Sequence, residues 1–148
     1  MRSTSVRSFI AIVAVAASVA ACGPAAVSSA PSAAPSAAAG SVAVELSEWT
    51  VVSTPATAPA GSVTFAVANK GTQIHEFVVV KTDLKADALP VVDHKIDEST
   101  LTPVDEIEDI AAGAAPTLAV DLAAGHYVLL CNIETHYEQG MHADFDVN

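Results

Sequence analysis

Cys131-Asn132-Ile133-Glu134-Thr135-His136-Tyr137-Glu138-Gln139-Gly140-Met141 decides the reading of this chain. The spacing is Cys-x4-His-x4-Met, directly after the apolar run Tyr127-Val128-Leu129-Leu130 and before Ala143–Val147, where Phe145 and Val147 share a face. A buried strand, a loop and a last strand are predicted. Residues at both ends of such a loop, and one at its bend, can point at a common centre. Those residues carry a thiol, an imidazole and a thioether.

A second donor-bearing stretch lies upstream. Asn69-Lys70-Gly71 is a turn signal, and His75 heads the strand-like run His75-Glu76-Phe77-Val78-Val79-Val80. Two imidazoles, one thiolate and a weak axial thioether are the donor set of a blue-copper electron-transfer centre. The expectation is one copper held by His75, Cys131, His136 and Met141. Zinc is the alternative metal, since two His and one Cys also suit it. Each residue alone has a bland reading: a buried thiol, a loop histidine, a core methionine, a strand histidine. Their order and placement together favour the metal site. His94, His126 and His142 fall outside the pattern and are expected not to be ligands.

The rest of the domain predicts short strands. Val42, Val44 and Leu46 alternate, as do Val63, Phe65 and Val67, and Thr117–Leu122. Trp49–Val52 continues the first strand or begins another, and Pro55 and Pro59 break the pattern. Leu84–Leu89 is read as a helical turn before Pro90. The acidic run Asp105-Glu106-Ile107-Glu108-Asp109 fits a strand edge, a short helix or a loop. The fold class is all-β, an antiparallel sandwich.

At these residues the chain resembles the cupredoxin family, the plastocyanin and azurin relatives. It is most similar to members with four residues in each gap of the ligand loop, of the rusticyanin and auracyanin type. The resemblance spans residues 41–148 and includes Asn-x-Gly-x-x-x-His-Glu-Phe at Asn69–Phe77 and Gly-x-Tyr at Gly125. It implies a Greek-key β-sandwich with one type 1 copper, His75 and His136 as nitrogen ligands, Cys131 as thiolate and Met141 as axial donor. It also implies that the backbone N–H of Glu76 donates to the Cys131 sulfur and that the outer edge of His136 is an electron port. Glu76 stands where several relatives have Asn, and Thr135 where azurin-like loops often have Pro or Gly. Asn69, Glu76 and Asn132 are the candidate supporting residues around the ligands, although Asn69 and Asn132 read more readily as plain turn residues.

The N-terminal part reads differently. Residues 1–22 have Arg2 and Arg7 ahead of an apolar stretch too short to span a membrane, and they end Val19-Ala20-Ala21-Cys22. This resembles a lipoprotein signal, with Cys22 the lipidated residue. Residues 23–40 are almost wholly Ala, Pro, Ser and Gly, a flexible linker. Extended at polyproline spacing, they reach about 55 Å. The folded domain is expected over 41–148. The location is thus extracytoplasmic, anchored to the cell membrane through lipid.

The formal charge is −11, and without the first 22 residues 4 basic side chains face 17 acidic ones. Nucleic acid is excluded as a partner, because phosphate binding needs clustered Lys and Arg. The acidity suits solubility, or a redox partner with a basic docking face, such as a c-type cytochrome or an oxidase. A monomer is expected. Copper delivery or storage is the alternative function, but it favours Met-rich exposed clusters and the chain has only Met1 and Met141. An enzyme is not expected, since a copper oxidase or nitrite reductase needs a second copper centre and no His-x-His pair is present.

Overall fold

The computed structural model describes residues 40–148. The expected export signal with Cys22, and the linker up to residue 39, lie outside the described residues. Alternation forms the first strand, β1 (Gly40–Ser47), whose Val42, Val44 and Leu46 are fully buried. Then follow β2 (Thr50–Thr54), β3 (Thr57–Ala58), β4 (Gly61–Asn69) and β5 (His75–Lys81). Two short strands, β6 (Val91–Val92) and β7 (Lys95–Ile96), precede a single 3-10 turn at Glu98–Thr100. The chain closes with β8 (Thr102–Ile110), β9 (Thr117–Leu122), β10 (Gly125–Leu130) and β11 (His142–Val147). Among the described residues there is no α-helix, and no helix long and apolar enough to cross a membrane.

One sheet has the order β2-β1-β4-β9 and the other β3-β11-β10-β5-β8. Neighbours distant in sequence give the Greek-key character. Most ladders are antiparallel, but β1 pairs with β4, and β3 with β11, in parallel. The inner faces meet in one core. Phe65 stands at its centre, 5.4 Å between ring centroids from both Phe77 and Phe145. The Phe77 contact is tilted and the Phe145 contact edge-to-face, and both add to the burial of three whole rings.

The second sheet is covered on its outer face too. Val78, Val80, Val128 and Leu130 pack under Ala86, Leu89, Ile96 and Tyr137. This explains the continuous apolar runs of β5 and β10: a strand buried on both faces cannot alternate. The cover is the segment between β5 and β8. Its Leu84–Leu89 part forms no helix, only one hydrogen-bonded turn from Ala88 N–H to the Lys85 carbonyl (3.0 Å). The segment is held by Tyr137, whose hydroxyl donates to the Ala86 carbonyl (2.6 Å) and accepts from Leu89 N–H (3.0 Å). Tyr137 belongs to the Cys131–Met141 loop, so the cover and that loop are tied together. The acidic run lies in β8, at the sheet's edge, where exposed charge discourages pairing with another chain.

The register sets where the donors meet. β10 and β5 run antiparallel with Leu130 opposite Val78, so the end of β10 lies beside the beginning of β5. Leu46 of β1 is opposite Asn69 of β4, which brings the β1–β2 turn to the β4–β5 loop.

Candidate metal centre

Cys131 is the first residue after β10 and is fully buried. Its N–H donates to the Met141 carbonyl (3.0 Å), which carries the β10–β11 ladder one step further. Met141 N–H in turn donates to the His136 carbonyl (3.1 Å), closing the loop on itself. The bend before His136 uses Thr135 with φ 70°, a left-handed backbone uncommon for a β-branched residue. Gln139 N–H bonds the Thr135 carbonyl and Thr135 N–H bonds that of His94, which fixes this turn from both sides.

His75, Cys131 and His136 converge, their donor atoms all within 4.8 Å of one another. His75 Nδ1 lies 3.3 Å from His136 Nδ1, and Cys131 Sγ lies 3.4 Å from His136 Nδ1. Two nitrogens, each about 2.0 Å from one ion in a roughly trigonal arrangement, would stand about 3.5 Å apart. The donor set therefore fits a single small metal ion. Met141 is fully buried in the same core cluster as Cys131.

Electrostatics point the same way. Burial pushes both imidazoles below the ordinary histidine range, and His75 lowers His136 further. Both rings thus favour the neutral form that ligates a metal. Burial raises the Cys131 thiol, opposed by N–H groups of Glu76 and Ile133 directed at its sulfur. Metal binding would displace that proton. The Glu76 N–H stands 3.2 Å from Sγ, as the family resemblance implies.

The supporting residues are more than turn formers. Buried Asn69 donates to the carbonyls of Gln73 and Ile110 (both 2.8 Å) and accepts from Gly71 N–H (2.9 Å). It thereby locks the loop that delivers His75. Buried Asn132 accepts from Ile96 N–H (2.6 Å) and donates to its carbonyl (3.2 Å) and to Glu98 (2.5 Å). It pins the covering segment beside Cys131. The Glu76 side chain lies against Glu98 and Glu106, their oxygens within 4.8 Å of one another. Burial first, then those two carboxylates, raises its pKa to about 7.

Two residues of the site carried no signal in the sequence. Glu48 and Trp49 form the turn between β1 and β2. The Glu48 carboxylate accepts from the N–H groups of Thr72 and Gln73 (both 2.8 Å). The Gln73 bond leads the causes that hold its pKa down to about 2. Trp49 meets His136 edge-on at 4.9 Å between ring centroids. His136 is 6% exposed, so only a small part of it reaches the surface. His142 is outside the group and packs on Tyr137, 4.7 Å between centroids. His94 pairs with Glu138 and His126 with Asp144, both at the surface.

No protein-family model matches the chain, and no curated protein does. Solved structures do. Auracyanin from Roseiflexus castenholzii, in its dithionite-reduced form, aligns with a TM-score of 0.53 at 20% identity, over 74% of this chain and 97% of its own. Auracyanin A from Chloroflexus aurantiacus, described as a "blue" copper protein, gives 0.54 at 19%, over 73% and 98%. Rusticyanin from Thiobacillus ferrooxidans gives 0.52 at 17%, over 74% and 78%. The chain thus has the β-sandwich fold of these copper proteins, with His75, Cys131 and His136 gathered where β5 begins and β10 ends.

Proposed function

We propose that this chain is a blue copper electron carrier, with copper held by His75, Cys131, His136 and Met141. The convergence of two imidazole nitrogens and one thiol, all buried, carries the reading. Copper supplies a one-electron Cu(I)/Cu(II) couple at such a site. The protein's part is to keep the donors in one arrangement for both states. Cys131 is fixed by its ladder bond to Met141, His75 by the Asn69 lock, and His136 by the loop and Trp49. Donors held this way leave little to reorganise, which keeps the barrier to electron transfer low. The buried, largely apolar surroundings also exclude water that would favour Cu(II).

Met141 tests the assignment. A thioether is a soft, neutral axial donor that favours Cu(I), and the axial ligand tunes the potential. Glutamine offers a harder oxygen that favours Cu(II), while leucine offers no donor. The expected order of potentials at position 141 is Leu above Met above Gln, with the visible band kept in all three. Equal potentials in a redox titration at one pH would remove Met141 from the ligand set.

The setting rests on the sequence. We propose that Cys22 is lipidated and anchors the domain outside the cytoplasm through the 23–40 linker. Intact-mass analysis of membrane-extracted protein should then show acyl chains, lost in Cys22→Ala, and an unacylated mature protein would refute it. The acidic domain is proposed to act as a monomer and to meet a redox partner with a basic face. Their association rate should fall steeply with rising salt, and a flat profile would assign the acidity to solubility.

A further inference from the structure

The buried imidazole of His75 has a second nitrogen, Nε2, directed away from the donor cluster. Nε2 is fully buried and makes no completed hydrogen bond. The group beside it is the Glu48 carboxylate, with Oε1 at 3.4 Å. That contact does not meet hydrogen-bond geometry, but a small shift of either side chain would complete a bond from Nε2–H to the carboxylate. A buried N–H without an acceptor costs about 1–3 kcal/mol, and Glu48 is the acceptor within reach.

The carboxylate is not there by chance of a flexible side chain. Oε1 is held by the N–H groups of Thr72 and Gln73, both at 2.8 Å. Gly71 leaves the space for it: a Cβ at position 71 would lie within 2.8 Å of Oε1, Oε2 and Cδ of Glu48. The loop that delivers His75 is thus wrapped around this one carboxylate, which is 22% exposed. The next residue, Trp49, backs His136 from the same turn.

We propose that Glu48 is a positioning residue for the metal centre: it orients His75 through Nε2 and, as a fixed negative charge, strengthens that imidazole as a donor. This rests on the copper reading above. A carboxylate behind a ligating imidazole fixes its tautomer and raises its basicity. Nε2 carries the proton and Nδ1 is left free for the metal. A stronger donor with a nearby negative charge favours Cu(II), so Glu48 lowers the reduction potential.

The test uses Glu48→Gln in the full chain, which keeps the shape and an oxygen for Thr72 and Gln73 but removes the charge. Gly71→Ala, which displaces the carboxylate from the other side, is the companion variant. Two readouts are taken. In the metal-free protein, ¹⁵N NMR of the His75 ring should show Nε2 protonated in wild type, with its resonance shifted in both variants. In the copper-loaded protein, the visible band should persist in both. The Cu(I)/Cu(II) ratio at fixed potential should rise about tenfold, which is about 59 mV for one electron. A wild-type ring protonated on Nδ1, or an unchanged potential with the band intact, overturns the proposal. If no coloured copper complex forms, the copper reading fails, and the metal-free spectrum still decides whether Glu48 orients His75.

Discussion

Cys131→Ser should abolish the intense visible absorption of the copper-loaded chain while leaving the sandwich folded. Such a band needs charge transfer from a thiolate, and Cys131 is the single cysteine among the described residues. A serine hydroxyl is a hard donor and stays protonated at neutral pH, so copper binding should weaken with the colour. The fold should survive because the new hydroxyl can accept from Glu76 N–H, which now stands 3.2 Å from sulfur. Burying it costs about 1–3 kcal/mol, against a total of about 5–15 for a domain. Absorption spectroscopy and a denaturant titration check the two halves separately. A serine variant that kept the band would show that the sulfur is not the donor.

Phe65→Ala should have the opposite profile, a large loss of stability with the donor set intact. Phe65 is fully buried between Phe77 and Phe145, where the two sheets meet. Replacing a buried phenylalanine with alanine removes its transfer free energy and leaves a cavity, about 3–5 kcal/mol together. The urea midpoint should fall accordingly, and any protein still folded should bind copper with its band in place. A loss under about 1 kcal/mol would mean that the sheets are not packed through this ring.

The contrast between these two variants follows what the sequence reveals. Strands with one wet face, such as β1, β4 and β9, show their alternation plainly. The apolar runs of β5 and β10 read as strands, but nothing local says what covers their second face. That cover comes from β6, β7 and irregular chain, pieces of two residues that are too short for any period to register. Leu84–Leu89 shows apolar residues at helical spacing for a different reason, since Leu89 packs beneath Tyr137 and gives its N–H to that hydroxyl. β8 shows no alternation because its edge position leaves almost every residue exposed.

The donor set was legible because it is mostly local: three of four candidate ligands lie in one loop, and His75 opens a recognisable strand. Asn69 and Asn132 were visible as candidates, though their clamping of Ile110 and Ile96 depends on chain far away. Glu48 and Trp49 were not visible. A glutamate and a tryptophan in a turn carry no signal until the β1–β4 pairing brings that turn beside the His75 loop.

Titration of the metal-free full chain with copper, followed by visible absorption, shows whether His75, Cys131, His136 and Met141 form a blue copper site. The expected result is an intense blue or green band that saturates at one copper per chain, bleaches on reduction and returns on reoxidation. Copper that binds without colour, or a chain that takes up none, would contradict it.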